Sequence, residues 1–292
     1  MMYQIRHTTT YTYPGIVSVC HNEVYLRPRD HAQQRCTAYE LVVLPEPGVC
    51  SQHVDFFGNA VTFFAVQEAH RTLTVTARST VEVTPREGLP ADHTSAWETV
   101  RDTLRHDRRA AGLEAYQYLF DSPHITCSAR LRHYAAASFR PGQPLLAAVL
   151  DLTRRIHTDF TYDPQATSVS TPVHDVLRAR RGVCQDFAHV QIGCLRSLGL
   201  AARYISGYLV THPPPGVPRL VGADASHAWV SVYCPGSGWI DVDPTNNMLP
   251  SERHISVALG RDYSDVSPIK GVCLGGGQHT MQVEVDVVPV PA

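Results

Sequence analysis

The stretch GVCQDFAHVQIGCLRSLGL, residues 182–200, decides the fold of this chain. Ala188 and Ile192 lie four residues apart, which is helical spacing, and Gly199 is typical of the position just after a helix. The pattern therefore predicts a helix that begins near Cys184. The first N–H groups of a helix have no intrahelical partner, and the helix dipole favours negative charge beside them. This position favours a thiolate, so Cys184 is the best nucleophile candidate among the cysteines.

Two other interpretations of Cys184 have to be weighed. His189 follows five residues later, so the two side chains could share a zinc ion. Residues five apart on a helix point about 140° away from each other, which is poor geometry for one ion. The eight cysteines of the chain also show no CxxC spacing, so we expect no metal and no cofactor. Cys184 could instead be an inert core cysteine, which is what we expect of Cys194.

A thiol nucleophile needs a base and a group that orients the base. Two strand-like runs, SHAWVSVY and GWIDVDPT, lie within residues 226–245 and are joined by the turn sequence CPGSG. If the turn has an odd number of residues, His227 lies opposite Thr245 or opposite the residue two positions from it. Asp243 is then diagonal to the histidine, about 7–8 Å away at the backbone, and Asp241 is a further step away. An even turn without a bulge would put the two side chains on opposite faces, so an odd turn is what favours Asp243 as the partner.

The remaining patterns predict an α+β protein. The first 85 or so residues contain short Thr-, Tyr- and Val-rich runs that alternate with period two, which predicts a β sandwich or barrel-like layer. From about Trp97 the pattern becomes helical, and strand-like runs return after residue 200. We therefore expect a β-rich N-terminal domain (1–90), a helical connecting region (91–144) and a C-terminal core of helices followed by an antiparallel sheet (145–292).

Composition excludes several classes of function. The formal net charge of the 292 residues is −2, which does not favour binding to nucleic acid or to an anionic membrane. No window reaches the roughly 18–20 apolar residues of a membrane span. The N-terminus has no basic-then-apolar leader, so we expect a cytoplasmic protein with free thiols. The Pro- and Gly-rich segment 211–222 predicts a surface loop.

Several separated motifs resemble those of a known family. Residues 180–209 (RRGVCQDFAHVQIGCLRSLGLAARYISGYL) and 224–247 (DASHAWVSVYCPGSGWIDVDPTNN) resemble, in this order, the transglutaminase-like superfamily of papain-like thiol enzymes. HTTTYTY (7–13), LRPRD (26–30) and DFFGN (55–59) resemble the N-terminal domain of its bacterial members. The resemblance implies a papain/transglutaminase-like core behind a β-rich domain.

The resemblance also implies roles for single residues. Cys184 would be the nucleophile, His227 the general base and acid, and Asp243 the group that orients the histidine. Tyr162, in DFTYDP, would be the second donor to the oxyanion. Two further residues, Trp229 and Gln185, are expected to lie in the substrate cleft.

The resemblance finally implies a peptide or amide substrate and a thioester intermediate on Cys184. Water would resolve the thioester in a protease or amidase, which is the expected activity. A primary amine would resolve it in a transglutaminase or in an enzyme that forms amide bonds. A non-catalytic scaffold that binds peptides is the alternative from a different class of protein.

Overall fold

The computed structural model describes residues 1–85, 88, 90–210 and 226–290. The segment 211–222, expected to be a surface loop, lies outside the described residues. Among the described residues, no helix combines the length and the apolar character needed to cross a membrane.

The described chain contains strands at both ends and helices mainly in between. The strands are β1 (Met2–Val24), β2 (Gln34–Leu44), β3 (Val49–Val54), β4 (Ala60–Val66), β5 (His70–Val83), β6 (Thr161–Tyr162), β7 (Arg181–Gly182), β8 (Ala202–Leu209), β9 (Ser226–Cys234), β10 (Gly238–Val242), β11 (His254–Gly260), β12 (Ile269–Gly275) and β13 (Thr280–Val290). The helices are α1 (Trp97–His106), α2 (Ala110–Tyr116), α3 (Ala129–Ala136), α4 (Leu145–Asp159), α5 (Val173–Ala179), α6 (Cys184–Ser197) and α7 (Tyr263–Val266). The predicted α+β class is confirmed.

The predicted β-rich N-terminal region is one large antiparallel sheet. Its strand order is β2-β5-β1-β4-β3, and β12 and β13 also pair with β1. The long strand β1 changes register between Thr12 and Val17. Its first half pairs with β5 and β13, whereas its second half pairs with β4 and β12. One strand therefore connects two parts of a single sheet.

The C-terminal strands do not follow the predicted division of the chain. We expected residues 145–292 to form one core, but β12 and β13 (269–290) lie in the N-terminal sheet. There they pair with β1, which would otherwise expose unpaired backbone groups along one edge. The chain thus returns to its first strand after it has built the core. Local strand patterns do not show which partner a strand will choose, so the sequence could not reveal this return.

The core contains the predicted helix and a second antiparallel sheet. That sheet has the strand order β10-β9-β8-β11. Helix α6 is buried all around, from Gln185 to Ser197. Its Ala188 and Ile192 belong to the same hydrophobic cluster as Ala228 and Val230 of β9. The sheet and α6 thus hold the segments that carry Cys184 and His227 against each other.

Two amide side chains of the N-terminal sheet join it to the core at strand β11. The Gln34 amide donates to the carbonyl of Ser256 and accepts from its N–H, each at 2.8 Å. The Asn59 amide does the same with Leu259, at 2.8 and 2.9 Å. Because β11 is the edge strand of the core sheet, these amides satisfy backbone groups that would otherwise lack partners.

Candidate active site

Cys184 is the first residue of α6 and is partly buried. The carboxylate of Asp186 accepts hydrogen bonds from the N–H of Val183 at 2.8 Å and from the hydroxyl of Thr167 at 2.6 Å. These bonds fix the turn in front of the cysteine. Gly182 lies in that turn with φ +157°. A Cβ atom there would lie 2.4 Å from the Asp186 carboxylate, so the turn needs glycine.

The β9–β10 hairpin brings the histidine and the aspartate together. Cys234 pairs with Gly238, so the turn has three residues, and the odd turn length assumed from the sequence is correct. The paired register continues to Val242 opposite Val230, and the chain turns at Asp243. The Nε2 atom of His227 lies 2.8 Å from Oδ2 of Asp243. The hairpin geometry expected from the sequence is therefore confirmed.

His227 also interacts with the cysteine. The residue is 9% exposed, and the side chain of Cys184 is one of the two groups that raise its pKa. Because Nε2 faces Asp243, Nδ1 is the ring nitrogen left for the thiol. Burial alone lowers the pKa of His227, but the hydrogen bonds to Asp243 and Cys184 and the negative charges of both groups raise it to about 10. The imidazole is therefore protonated at neutral pH.

Asp243 is completely buried and accepts hydrogen bonds at both oxygens. Oδ1 accepts from the backbone N–H groups of Thr245 (2.9 Å) and Asn246 (3.2 Å). Oδ2 faces His227, the amide of Asn246 at 2.7 Å and Nε2 of His254 at 3.2 Å. Burial raises the pKa of this carboxyl, but the bonds from the two histidines and the amide outweigh that effect and hold the pKa well below its usual range. Asp243 is therefore ionised.

Tyr162 lies beside the turn that precedes the cysteine. It pairs with Gly182 in the short parallel ladder of β6 and β7, and its ring packs edge-on against Phe187 at 6.4 Å. Burial and the negative charge of Cys184 both raise the pKa of Tyr162. Its pairing with Gly182 puts Tyr162 beside the turn that leads into Cys184.

The two residues expected in the substrate cleft differ in their surroundings. Gln185 is 9% exposed, and its amide donates to the carbonyl of Val169 at 3.3 Å. Trp229 has no exposed surface and packs beneath His227 and His254, with ring centroids 6.0 and 5.3 Å away. A fully buried indole cannot line an open cleft. Trp229 supports the histidines instead, with its ring against Gly207 of β8, the strand between β9 and β11.

His189 is not a partner of Cys184. Its Nε2 accepts the backbone N–H of Tyr263 at 3.2 Å, and its ring stacks on His124 at 5.6 Å. Burial lowers the pKa of His189 to about 3, so the ring is neutral. Cys194 is fully buried in the hydrophobic core, as expected. All eight cysteines lie in the described residues and are free thiols.

His227, Asp243 and His254 form a group whose donor atoms lie within 4.8 Å of one another, which raises the question of a metal ion. The N–H of Ser251 donates to Nδ1 of His254 at 3.2 Å. The proton of His254 is therefore on Nε2, which donates to Asp243 and has no lone pair for a metal. The arrangement is that of a hydrogen-bonded network around one carboxylate.

Two regions of this chain match models of known protein families. Residues 132–244 match the transglutaminase-like superfamily, and residues 3–82 match the bacterial transglutaminase-like N-terminal region. The chain belongs to the transglutaminase-like superfamily. Both regions predicted by resemblance from the sequence are thereby confirmed.

Two mycobacterial proteins resemble this chain over nearly their full length, and a third relative resembles a part of it. An uncharacterized protein of Mycobacterium tuberculosis is 43% identical over 299 aligned residues, which cover 98% of this chain and 92% of that protein. An uncharacterized protein of Mycobacterium leprae is 33% identical over 97% of both chains. A protein-glutamine gamma-glutamyltransferase of Pseudomonas aeruginosa is 32% identical over 41% of this chain and 18% of its own length.

A solved structure of the superfamily fold supports the architecture. It is that of a Cytophaga hutchinsonii protein whose assignment as a cysteine protease is itself provisional. It aligns with all of this chain and 92% of its own with a TM-score of 0.77, at 22% identity. At that identity the match shows a common fold and leaves the reaction open.

Sequence reasoning missed two residues of the site, Asn246 and His254. Asn246 follows the aspartate by three residues in DPTN, a spacing typical of a turn that closes on its own first side chain. That signal was available. His254 is one of sixteen histidines and stands in no motif, so its contact with Asp243 could only come from the fold.

Proposed function

We propose that the protein is a cysteine enzyme that attacks an amide or peptide carbonyl with Cys184 and forms a thioester. The observation that carries this proposal is the 2.8 Å contact between His227 and the buried Asp243 carboxylate, on a ring whose pKa is also raised by the Cys184 side chain. These three groups are a nucleophile, a base and an orienting group, which is the set that thiol catalysis requires. Hydrolysis is the favoured outcome.

The chemistry follows from the protonation states. At neutral pH the protonated His227 already holds the proton that the Cys184 thiol gives up, at Nδ1, and the thiolate of Cys184 attacks the carbonyl carbon. The Nδ1–H then protonates the leaving amine as the C–N bond breaks, which leaves the acyl group on sulfur. In the second half, His227 removes a proton from water, which attacks the thioester and releases the acid and the free thiol. Asp243 stays ionised and holds Nε2–H throughout.

The oxyanion needs hydrogen-bond donors near the sulfur. The N–H of Cys184 is in the first turn of α6 and has no intrahelical acceptor. The Tyr162 hydroxyl is the second donor in this proposal, supported by its electrostatic interaction with Cys184. Gln185 follows the nucleophile directly, and we retain it as a residue of the substrate cleft.

The test begins with the cysteine. Iodoacetamide labelling near pH 6, measured cysteine by cysteine, should be fastest at Cys184, because this thiol is at the start of a helix and interacts with the protonated ring of His227. Cys50 is exposed and serves as the reference thiol. A peptide library should then be cleaved by the wild type and by Cys50→Ala but not by Cys184→Ala. If Cys184 reacts no faster than Cys50 and no peptide is cleaved, a peptide-binding scaffold becomes the better account.

Transfer of the acyl group to a primary amine is a second candidate. One relative, which matches 41% of this chain, is named as a protein-glutamine gamma-glutamyltransferase. Product masses from the same library, with and without an added primary amine, separate the two reactions. Hydrolysis gives acids in both conditions, whereas transfer gives the mass of the amide adduct only when the amine is present.

A further inference from the structure

We propose that His254 is a positioning residue of this site and that the N-terminal domain holds it in place. The inference rests on the proposed role of Asp243 as the partner of the catalytic histidine. It concerns a second imidazole that contacts the same carboxylate oxygen as His227.

The first support is the hydrogen bonding of His254. Its side chain is 1% exposed, and its Nε2 lies 3.2 Å from Oδ2 of Asp243. The N–H of Ser251 occupies Nδ1, which fixes the tautomer with the proton on Nε2. His254 can therefore only donate to Asp243. Oδ2 thus bonds to His227 on one side and to His254 on the other, which restricts rotation of the carboxylate.

The second support is the way in which His254 itself is held. Its ring packs edge-on against the buried Trp229, with an interplanar angle of 85°. A buried imidazole that donates one bond, accepts another and is packed against an indole has one orientation. It transmits that orientation to Asp243 without contact with the reacting atoms.

The third support links His254 to the other domain. His254 is the first residue of β11, and two residues later Ser256 bonds to the side chain of Gln34. Leu259, further along the same strand, bonds to Asn59. The N-terminal domain therefore fixes the position of the strand that begins with His254. This gives that domain a part in the geometry of the site, apart from any contact with substrate.

Two amide variants separate the contacts of His254. The side chain of His254→Asn can still accept from Ser251, but its amide is too short to reach Asp243. The longer amide of His254→Gln can place an N–H₂ where Nε2 was and donate to Asp243. The iodoacetamide rate of Cys184 at pH 6 should fall roughly tenfold or more in His254→Asn and stay within about threefold of wild type in His254→Gln.

If the proposal is right, a variant that loses packing alone does not slow the labelling of Cys184. Val257→Ala shortens a buried side chain of the same strand without touching Asp243 and serves as the stability control. At a matched fall in Tm it should leave the Cys184 rate near the wild-type value. Equal rates in the Asn and Gln variants, or an equal loss in Val257→Ala, would overturn the proposal.

A measurement on the unchanged protein makes the test independent of how the variants fold. The ¹⁵N shifts of the His254 ring should show the Nε2-protonated tautomer, and a proton on Nδ1 would overturn the proposal. Failure of the proposed function looks different, because Cys184 of the wild type would then label no faster than Cys50 whatever the state of His254.

Discussion

Asp243 accepts five hydrogen bonds in a space from which water is excluded. Two of the donors are backbone N–H groups that directly follow it in the chain, so the DPTN turn itself pre-arranges one oxygen. The other oxygen is shared by His227, Asn246 and His254. An ionised carboxylate with this many donors holds a fixed direction, and that direction is what the imidazole needs to keep its proton on Nε2.

The protonation of His227 should make stability depend on pH. The folded-state pKa of about 10 lies above the value of roughly 6.5 for an unfolded histidine. The contribution of the charged ring is therefore fully present below about pH 6.5 and is lost as pH rises through about 10. Asp243→Asn removes the main charged partner. We expect the difference in the urea midpoint between wild type and this variant to shrink between pH 7 and 10.5.

A neighbouring aspartate on the same hairpin provides the control for this prediction. Asp241 lies two residues earlier on the hairpin, and Asp241→Asn should leave the pH dependence of the wild type unchanged. A constant difference between wild type and Asp243→Asn across the same range would mean that His227 is neutral in the folded protein.

For single residues, the sequence predicts the three residues of the proposed catalytic set but little of what surrounds them. Cys184 is indicated by a helix start, and His227 and Asp243 by the parity of a hairpin; both are short-range patterns. His254 comes from a strand whose place is set by contacts with residues that lie 200 or more positions away in the chain, Gln34 and Asn59. No local pattern encodes such a contact.

Among the elements, the start of α6 depends on a single glycine. Gly182→Ala should lower the free energy of unfolding by about 2 kcal/mol or more, because the new Cβ meets the Asp186 carboxylate and the backbone is strained. Urea unfolding measures the loss. Labelling of Cys184 should also slow, since the cap in front of it must move.

Gly142→Ala is the matched control for this change. Gly142 has φ +74° with no atom within 4 Å of an added Cβ, so the variant carries backbone strain alone, about 1 kcal/mol. A cost at Gly182 no larger than the cost at Gly142 would show that the contact with Asp186 is unimportant.

The pairing of β1 with β12 places two cysteines opposite each other. Cys20 pairs with Cys273, and the N–H of Tyr25 donates to the carbonyl of Pro268 five pairs further on. Since hydrogen-bonded pairs alternate, the cysteines form a non-hydrogen-bonded pair, with Cα atoms about 4.5 Å apart. That distance is within the range of a disulfide.

Oxidised glutathione should therefore link these two thiols. Cys273 is partly exposed and forms the mixed disulfide first, releasing one glutathione; the buried Cys20 then displaces the second. Peptide mapping without reductant should show the Cys20–Cys273 peptide pair and a raised Tm. Cys273→Ser should show neither. A stable glutathione adduct at Cys273 without a crosslink would contradict the register.

For the molecule as a whole, the contact between sheet and core is the feature on which the site depends. Asn59→Ala removes both partners of the Leu259 backbone and should cost about 2–4 kcal/mol, because these groups stay buried. Gln52→Ala on the exposed strand β3 should change stability by no more than about 0.5 kcal/mol. Equal effects in urea unfolding would mean that the sheet contributes nothing to the strand that holds His254.

The pairing of β1 with β13 has a consequence for synthesis. Residues 2–12 are synthesised long before residues 280–290, which form one of their two neighbouring strands. During most of translation this edge has no partner, and an open edge can pair with another nascent chain. The N-terminal sheet can therefore be completed only after its last described strand has been synthesised, when β13 pairs with the edge of β1.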